Sequence, residues 1–589
     1  MSPSRWFSAL ALAFAIFAPS CPWAEDLAVH APFLAGPIWV YNNWSSYDEL
    51  SDDVPLTEAA AMRELGNVLR LRRLGVHIDY YVMDAFWYDP DGGYRRWRSE
   101  GWPDGPERWI ATLERNGITP GLWFGTNTLP HLNPAPQWRD SLNATGTAMA
   151  LYAGGFLPDF MKALDGWYDR GIRLFKFDFA DFAAAVPGDE KRLSKQEIRR
   201  RNTDALRDAL RAFRREHPDA ILVAFNGFAG SFGTTAAPMP FAHPLDLRWL
   251  DVFDSLYAGD PRPSDVPEMN FWRSVDIYSD HTVRRFVENG VPPRRVDSTS
   301  FMIGDTGTNY HRKTEDWKGM LLLEMARGGW VNTIHGNLEL LDDAEARWFA
   351  RAQRLYAPML QAGVASMFGG VPGQAQPYGF AFERKDRALY TVVNPAESVE
   401  TIPLPPRNRE PRSEAPGVVL FHDSGFVPAL TADAIRLGPG QLAVIGFGRY
   451  ASKVYDLGIQ SSLPIPRDIA ELPAKFTAGR SKNSVEAEIV PPPRGDLRIV
   501  LQQHDLHDAI ARSTSDRNMA QIFLIRAFQG GEELPVEIHY DRVIWSGLSW
   551  AVGEIRRRDI AADDPIRIVL ISTEDEAMRL AGRIYRVDY

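Results

Sequence analysis

From Ile38 onward, short runs of β-branched and aromatic residues alternate with longer stretches in which apolar positions recur at helical spacing. That alternation is the pattern of a parallel sheet with crossover helices. Strand runs are read at Ile38–Trp44, Ile78–Trp87, Thr119–Thr126, Leu174–Phe179, Ala220–Asn226, Val252–Asp260, Val296–Asp305 and Val331–Gly336. Eight such runs with helices between them predict a (β/α)₈ TIM barrel over residues 36–365, inside the range of roughly 200 to more than 400 residues that such barrels span. The helices carry their own punctuation. Ser194-Lys-Gln-Glu197 reads as a capping box opening an amphipathic stretch that stops before Pro218, and Gly75, Gly117 and Gly171 each close a helical pattern just before a strand. An open doubly wound sheet would place a Gly-rich phosphate loop after its first strand, and NNWSSYDE is not one.

Beyond Leu360 the periodicity changes to short alternating strands such as GFAFERKDRALYTVVN and GQLAVIGFGRY, which predicts an antiparallel β-sandwich domain over 366–450. A Pro-rich stretch, SSLPIPRDIAELP, leads into a further all-β domain over 451–589. There LRIVLQQHD, AQIFLIRAF, VEIHYDRVI and IRIVLIS read as sandwich strands, the form of a carbohydrate-binding or docking module.

Composition narrows the functional classes. The chain of 589 residues is 45% hydrophobic, enough apolar surface to fold rather than remain disordered. A net charge of −11, with no Lys/Arg block, argues against nucleic acid as a partner. Eighteen tryptophans suit core packing and equally suit the apolar faces of sugar rings. The opening MSPSRWFSALALAFAIFAPSCPWAED sets Arg5 before an apolar run too short for a membrane span, which predicts a signal peptide over residues 1–24 and an exported protein, periplasmic or secreted. Cys21, the single cysteine, lies in that segment, where a lipid anchor is the alternative use. No later segment reaches transmembrane length.

In a barrel the catalytic groups sit at the carboxyl ends of the strands. Those ends carry Trp44, Asp84, Trp87, Trp123, Lys176, Asp178, Asn226, Asp260, Asp305 and His335, with Arg262 in the loop after strand 6. Carboxylates and tryptophans around one mouth suit a polyhydroxylated ligand. In LFKFDF, Lys176 and Asp178 are two apart on a strand and project to the same side. A lysine there would hold the aspartate ionised, as a nucleophile requires; a structural ion pair is the plainer reading. Glycoside hydrolysis needs a second, protonated carboxyl. Asp260, which closes DVFDSLYAGD, is the first choice, and Asp276 in NFWRSVDIYSD is the rival. The histidines lack H-x-x-x-H or H-x-E spacing, so no metal site and no cofactor is expected. No G-x-S-x-G elbow supports a serine hydrolase.

These residues, in this order, resemble the clan D glycoside hydrolases, the melibiase or α-galactosidase families, across roughly residues 36 to 450. Strand 1 ends in an Asn-Trp pair followed by Tyr, as YNNWSSYDE does. The V-L-D-D-G-W-F of the second strand is similar to Val82-Met-Asp84-Ala-Phe-Trp87-Tyr, the W-x-x-x-x-x-F-P-x-G stretch to RRWRSEGWPDG, and G-L-W-F stands at Gly121 to Phe124. The K-x-D of the fourth strand is Lys176-Phe-Asp178. The resemblance implies a retaining reaction through a covalent glycosyl-enzyme at Asp178. It also implies Trp44, Asp84, Trp87 and Lys176 around the terminal sugar. For the acid/base it leaves both candidates: AGDPRPSD is similar to W-x-S-D-N-T-D, and WRSVDI to R-x-x-x-D-I with one residue missing.

Departures bear on specificity. The paired aspartates become Asp84-Ala85, the usual glycine becomes Phe86, and Gly125-Thr126 replaces the acidic residue after G-L-W-F. A site built to bond a hydroxyl discriminates strongly, so these changes bear on which sugar fits. The expectation is an exported α-galactosidase-like glycosidase with a carbohydrate substrate. Its alternatives are an α-glucosidase, α-xylosidase or α-N-acetylgalactosaminidase and, from another class, a non-catalytic glycan-binding protein.

Overall fold

The computed structural model describes residues 36–46, 56–128, 132–229, 245–298, 302–305, 312, 316–363, 365–406, 416–460, 466–511, 519–539, 548–574 and 578–589. The predicted signal segment with Cys21, and the last three residues of YNNWSSYDE, lie outside them. Parallel strands β1 (Ile38–Asn42), β2 (Tyr80–Met83), β3 (Thr119–Gly125), β4 (Leu174–Asp178), β5 (Ile221–Ala224), β6 (Ser255–Tyr257), β7 (Val296–Asp297), β8 (Met302–Ile303) and β9 (Val331–Gly336) form one sheet. Their spatial order is β7-β6-β5-β4-β3-β2-β1-β9-β8. The edge pieces β7 and β8 are successive segments of the seventh strand position, so the sheet curls into a barrel of eight strand positions. All eight predicted runs contain a strand.

Helices α1 (Glu58–Arg73), α2 (Glu107–Arg115), α3 (Phe156–Asp169), α4 (Asp189–Arg192), α5 (Lys195–Glu216), α6 (Phe271–Glu288), α7 (Trp317–Ala326) and α8 (Asp343–Ala362) accompany the strands. The Ser194 hydroxyl accepts the Glu197 N–H at 3.1 Å and starts α5, which stops at Glu216, short of Pro218. Gly75, Gly117 and Gly171 follow α1, α2 and α3 with φ of +98°, +62° and +99°, the left-handed turn that glycine makes without a Cβ clash.

Period-two alternation divides each strand between two cores. Ile38, Val40, Val82, Leu174 and Val223 pack together inside the barrel. The intervening Trp39, Tyr41, Met83, Phe175, Phe177 and Leu222 face outward into a larger apolar layer shared with the helices. Continuing the inward rows in steps of two reaches the carboxyl end: Asn42 on β1, Asp84 after β2, Trp123 on β3, Lys176 and Asp178 on β4, and His335 on β9. The pleat of the barrel therefore aims these side chains at one mouth.

After the barrel, the chain forms antiparallel sheets. One has six strands, Ser366–Gly369, Tyr378–Arg384, Arg387–Val393, Leu442–Gly448, Val418–Asp423 and Gly458–Gln460 in spatial order, the last two paired in parallel. A three-stranded sheet shares an apolar core with it. Two five-stranded sheets follow, one centred on Asp496–His504 and one on Ile566–Ser572. Strand Phe523–Gln529 alternates buried and exposed positions along much of its length, as a sandwich strand does. Among the described residues no helix is long and apolar enough to cross a membrane.

Candidate active site

Asp178 ends β4 with its side chain only 6% exposed. Its Oδ1 accepts the backbone N–H of Phe179 at 2.8 Å and of Asn226 at 3.1 Å, and its Oδ2 accepts the indole N–H of Trp123 at 3.0 Å. Three N–H donors face both oxygens, so the environment is built for a carboxylate that accepts. Burial nevertheless pushes its pKa up to about 6. The nearby Lys176 charge and the Trp123 hydrogen bond pull it down, while Asp84 and Asp260 push it further up.

Lys176 is placed differently from the sequence expectation. Its ammonium lies 2.8 Å from Asp84 Oδ2, across β3 from its own strand, with both side chains almost fully buried. Among the described residues its ion pair is with Asp84, and Asp178 feels it only through space. The lysine also sits 4.1 Å above the Phe225 ring, and Asp84 is fixed by the Ala85 N–H on Oδ1 and by its own N–H on Asn43.

Asp260 stands three residues beyond β6 at an exposed position. The Tyr257 hydroxyl donates to its Oδ1 at 3.0 Å. It opens to solvent on one side and is walled by protein elsewhere. The loss of surrounding water raises its carboxyl above the ordinary range against the lowering pull of Tyr257, Lys176 and Asn226. Asn226 thus bears on both carboxyls: its backbone N–H donates to Asp178, and its side chain lowers the pKa of Asp260.

Asp276, the rival acid/base, is inside the protein. It is 0% exposed, with one oxygen 2.8 Å from Arg273 and the other 2.6 Å from Arg312. Arg273 continues to Asp423 at 2.8 Å in the antiparallel region, so Asp276 belongs to a buried charge network that ties α6 to the following sheets. Trp87 is also corrected. It is 0% exposed, its indole N–H donates to the Trp123 carbonyl at 2.7 Å, and Trp97, Phe124 and Trp167 pack around it. The reason is local: at an odd offset from the inward Val82 and Asp84, Trp87 falls in the outward row of Met83 and joins the same apolar layer.

The remaining candidates divide. Trp44 is half-buried at the mouth, edge-on to His335 at 6.1 Å. His335 is buried, and burial and the Lys176 charge keep its imidazole pKa well below the usual range, so it is neutral near pH 7. Trp123 acts as a donor to Asp178. Arg262 is turned toward Asp265, 3.3 Å away, and lies 4.3 Å over the Tyr278 ring of α6. Asp305 is exposed just after β8. Asp165, Glu216 and His217 could group around a cation, but they lie on α3 and at the end of α5, on the face opposite the mouth.

Sequence reasoning missed Tyr257, Phe225 and Phe179. Tyr257 is the last residue of β6, and its ring stacks on Phe225 at 4.2 Å. Phe179 follows the candidate nucleophile with φ +49° and a 43% exposed ring, edge-on to Trp123 at 5.8 Å. An exposed aromatic in the left-handed region was foreshadowed only by its place after K-x-D.

No protein-family model matches the chain, and no curated protein matches it. Among solved structures it is similar to the galactosidase domain of an α-galactosidase–sucrose kinase, at 13% identity and TM-score 0.48, covering 70% of this chain and 54% of that one. It is also similar to a family-36 α-galactosidase variant of Geobacillus stearothermophilus in complex with stachyose, at 13% identity and TM-score 0.49, covering 71% and 57%. A third is the α-galactosidase of Lactobacillus brevis, at 12% identity and TM-score 0.47, covering 71% and 56%. The chain thus spans little more than half the length of these proteins. Fold likeness at such identity does not carry side-chain chemistry with it, and the pocket has to be judged on its own residues.

Proposed function

We propose that this chain is an exported retaining α-glycosidase that removes terminal α-linked, galactoside-like sugars from oligo- or polysaccharides. Asp178 is the nucleophile and Asp260 the acid/base. The observation that carries the reading is the pair of carboxyls of different character at one mouth: Asp178 buried under three N–H donors, and Asp260 exposed and bonded by the Tyr257 hydroxyl. Protonating Asp178 would weaken the N–H···O bonds on the oxygen that took the proton, whereas Asp260 has a side open to solvent and to a leaving oxygen. The two charges oppose each other, so once one proton is shared by the pair, its place is Asp260. That is the division of labour a retaining mechanism uses: an ionised carboxylate attacks the anomeric carbon while the second carboxyl protonates the departing oxygen, and then activates water. Lys176 and Asp84, locked together, offer an N–H donor and carboxylate lone pairs to sugar hydroxyls. The neutral His335 and the Trp44 face bound the same pocket. Residues 1–24 supply the export signal.

The test is hydrolysis of aryl α- and β-glycosides of galactose, glucose, xylose, arabinose, fucose and N-acetylgalactosamine by the mature protein, with the anomer first released followed by NMR. One α-glycoside should be cleaved with retention, and Asp178→Ala should lower kcat by at least about 10³-fold. Cleavage of none by wild type, with sugars still bound, would make the chain a glycan-binding protein.

A further inference from the structure

The loop between β6 and α6 has no regular structure and carries Asp260, yet residues 261–265 and 267–269 within it are buried. Much of what buries them comes from the far end of the chain. The Trp550 indole N–H donates to the Ser264 carbonyl at 2.6 Å, the Gln502 amide to the Asp265 carbonyl at 3.1 Å, and the Arg498 guanidinium to the Met269 carbonyl. Trp550 and Gln502 are directly opposed on neighbouring strands, and Arg498 lies on the same strand as Gln502. Met269 and Phe271 complete the apolar core of the C-terminal sheets, with the Phe271 and Trp550 rings 6.2 Å apart. An irregular buried loop must place its carbonyls on donors, and here those donors belong to another part of the fold.

We propose that the C-terminal sheets are the scaffold of the acid/base loop, with Trp550 as the positioning residue that sets Asp260 from four residues away. Trp550 is 1% exposed, so its ring is no platform for sugar, and the C-terminal region works inward on the mouth. This inference rests on the reading of Asp260 as acid/base. A general acid delivers its proton only within hydrogen-bond reach of the leaving oxygen, and small displacements are felt strongly. In the first step, a misplaced Asp260 therefore penalises substrates whose leaving group needs the proton and spares those whose leaving group departs without it.

The experiment uses the full chain with Trp550→Phe, which keeps a ring and removes the N–H, and Gln502→Met as a second, milder variant. Each is assayed on one sugar carrying either an alkyl or a dinitrophenyl leaving group, beside Asp260→Ala. The expected result is a fall in kcat/KM, which reports the steps up to the glycosyl-enzyme, of about 10-fold or more on the alkyl glycoside, part of the roughly 10²–10⁴-fold that general acid catalysis contributes, with kcat/KM on the dinitrophenyl glycoside little changed. Circular dichroism and thermal unfolding are recorded for each variant. If Asp260→Ala shows the leaving-group dependence and both positioning variants lose the two activities equally, or neither, the inference is overturned and the function stands. If Asp260→Ala itself shows no dependence, the assignment of Asp260 falls and the inference with it.

Discussion

Lys176 Nζ lies 2.8 Å from Asp84 Oδ2, from strand positions separated by β3, with the side chains 6% and 5% exposed. A buried pair of this kind gains little net stability, because desolvation offsets the attraction, yet removing one partner strands the other charge in a dry site. Lys176→Met is therefore expected to destabilise the protein by about 3–5 kcal/mol. Adding Asp84→Asn should return part of that loss, although each single change removes a contact. Denaturant unfolding of the two singles and the double measures this. Additive losses would mean that the two groups do not depend on each other.

The electrostatics of Asp178 predict the acid limb of activity. Attack requires the carboxylate, and burial places its pKa at about 6, so kcat/KM should rise as pH increases through that value. The Trp123 hydrogen bond is one of the influences holding the pKa down. In Trp123→Phe the ionised form loses a donor and the limb should move to higher pH. A limb that moves down, or stays, would separate Asp178 from the rate.

How far this was legible in the sequence follows from how barrels bury residues. Parallel strands covered on both faces read as near-continuous apolar runs, so Leu174–Asp178 and its neighbours stood out, and the period of two carried the reading on to Asp84, Lys176 and Asp178. Lys176 and Asp178 share a face, which suggested a pair. The partner is instead Asp84, and only the lateral order β2-β3-β4 brings it within reach. Trp87 lies in the same stretch as Asp84, but three residues on, so the same period of two sends it outward with Met83. As local strings Asp260 is the first choice and Asp276 the rival. The guanidiniums that claim Asp276 come from three and thirty-six residues away, a distance at which local pattern is silent. The support of the Asp260 loop by Trp550 spans 286 residues and left no local trace.

The same raised pKa is a stability statement. Asp178 titrates at an ordinary 3.8 when unfolded and at about 6 in the fold, so between those values the native state holds the extra proton and stability falls as pH rises. At about 1.36 kcal/mol per pH unit, the ionised side chain costs on the order of 2–3 kcal/mol above pH 6. Asp178→Asn, inactive but unable to ionise, should unfold at a higher temperature than wild type at pH 7.5, and the difference should vanish toward pH 4. Thermal scans at matched rates at the two pH values check it. A wild type that is the more stable at pH 7.5 would show that its donors outweigh burial.

Phe179 combines a strained backbone with an exposed ring beside the candidate nucleophile. A left-handed conformation costs a residue bearing a Cβ roughly 1–2 kcal/mol, while glycine gives back about 0.5–1 kcal/mol through the entropy of the unfolded chain. Phe179→Gly should therefore match or exceed Phe179→Ala in stability, by up to about 1.5 kcal/mol. Both variants lose the ring. If that ring meets the apolar face of the sugar beyond the cleaved bond, an aromatic contact worth about 0.5–1.5 kcal/mol disappears in both, and KM for an oligosaccharide should rise roughly 2- to 12-fold in each. Measuring KM on an oligosaccharide and on a methyl glycoside separates the two effects. The rise should be confined to the longer substrate, and an equal rise on both would place Phe179 beside the terminal sugar instead.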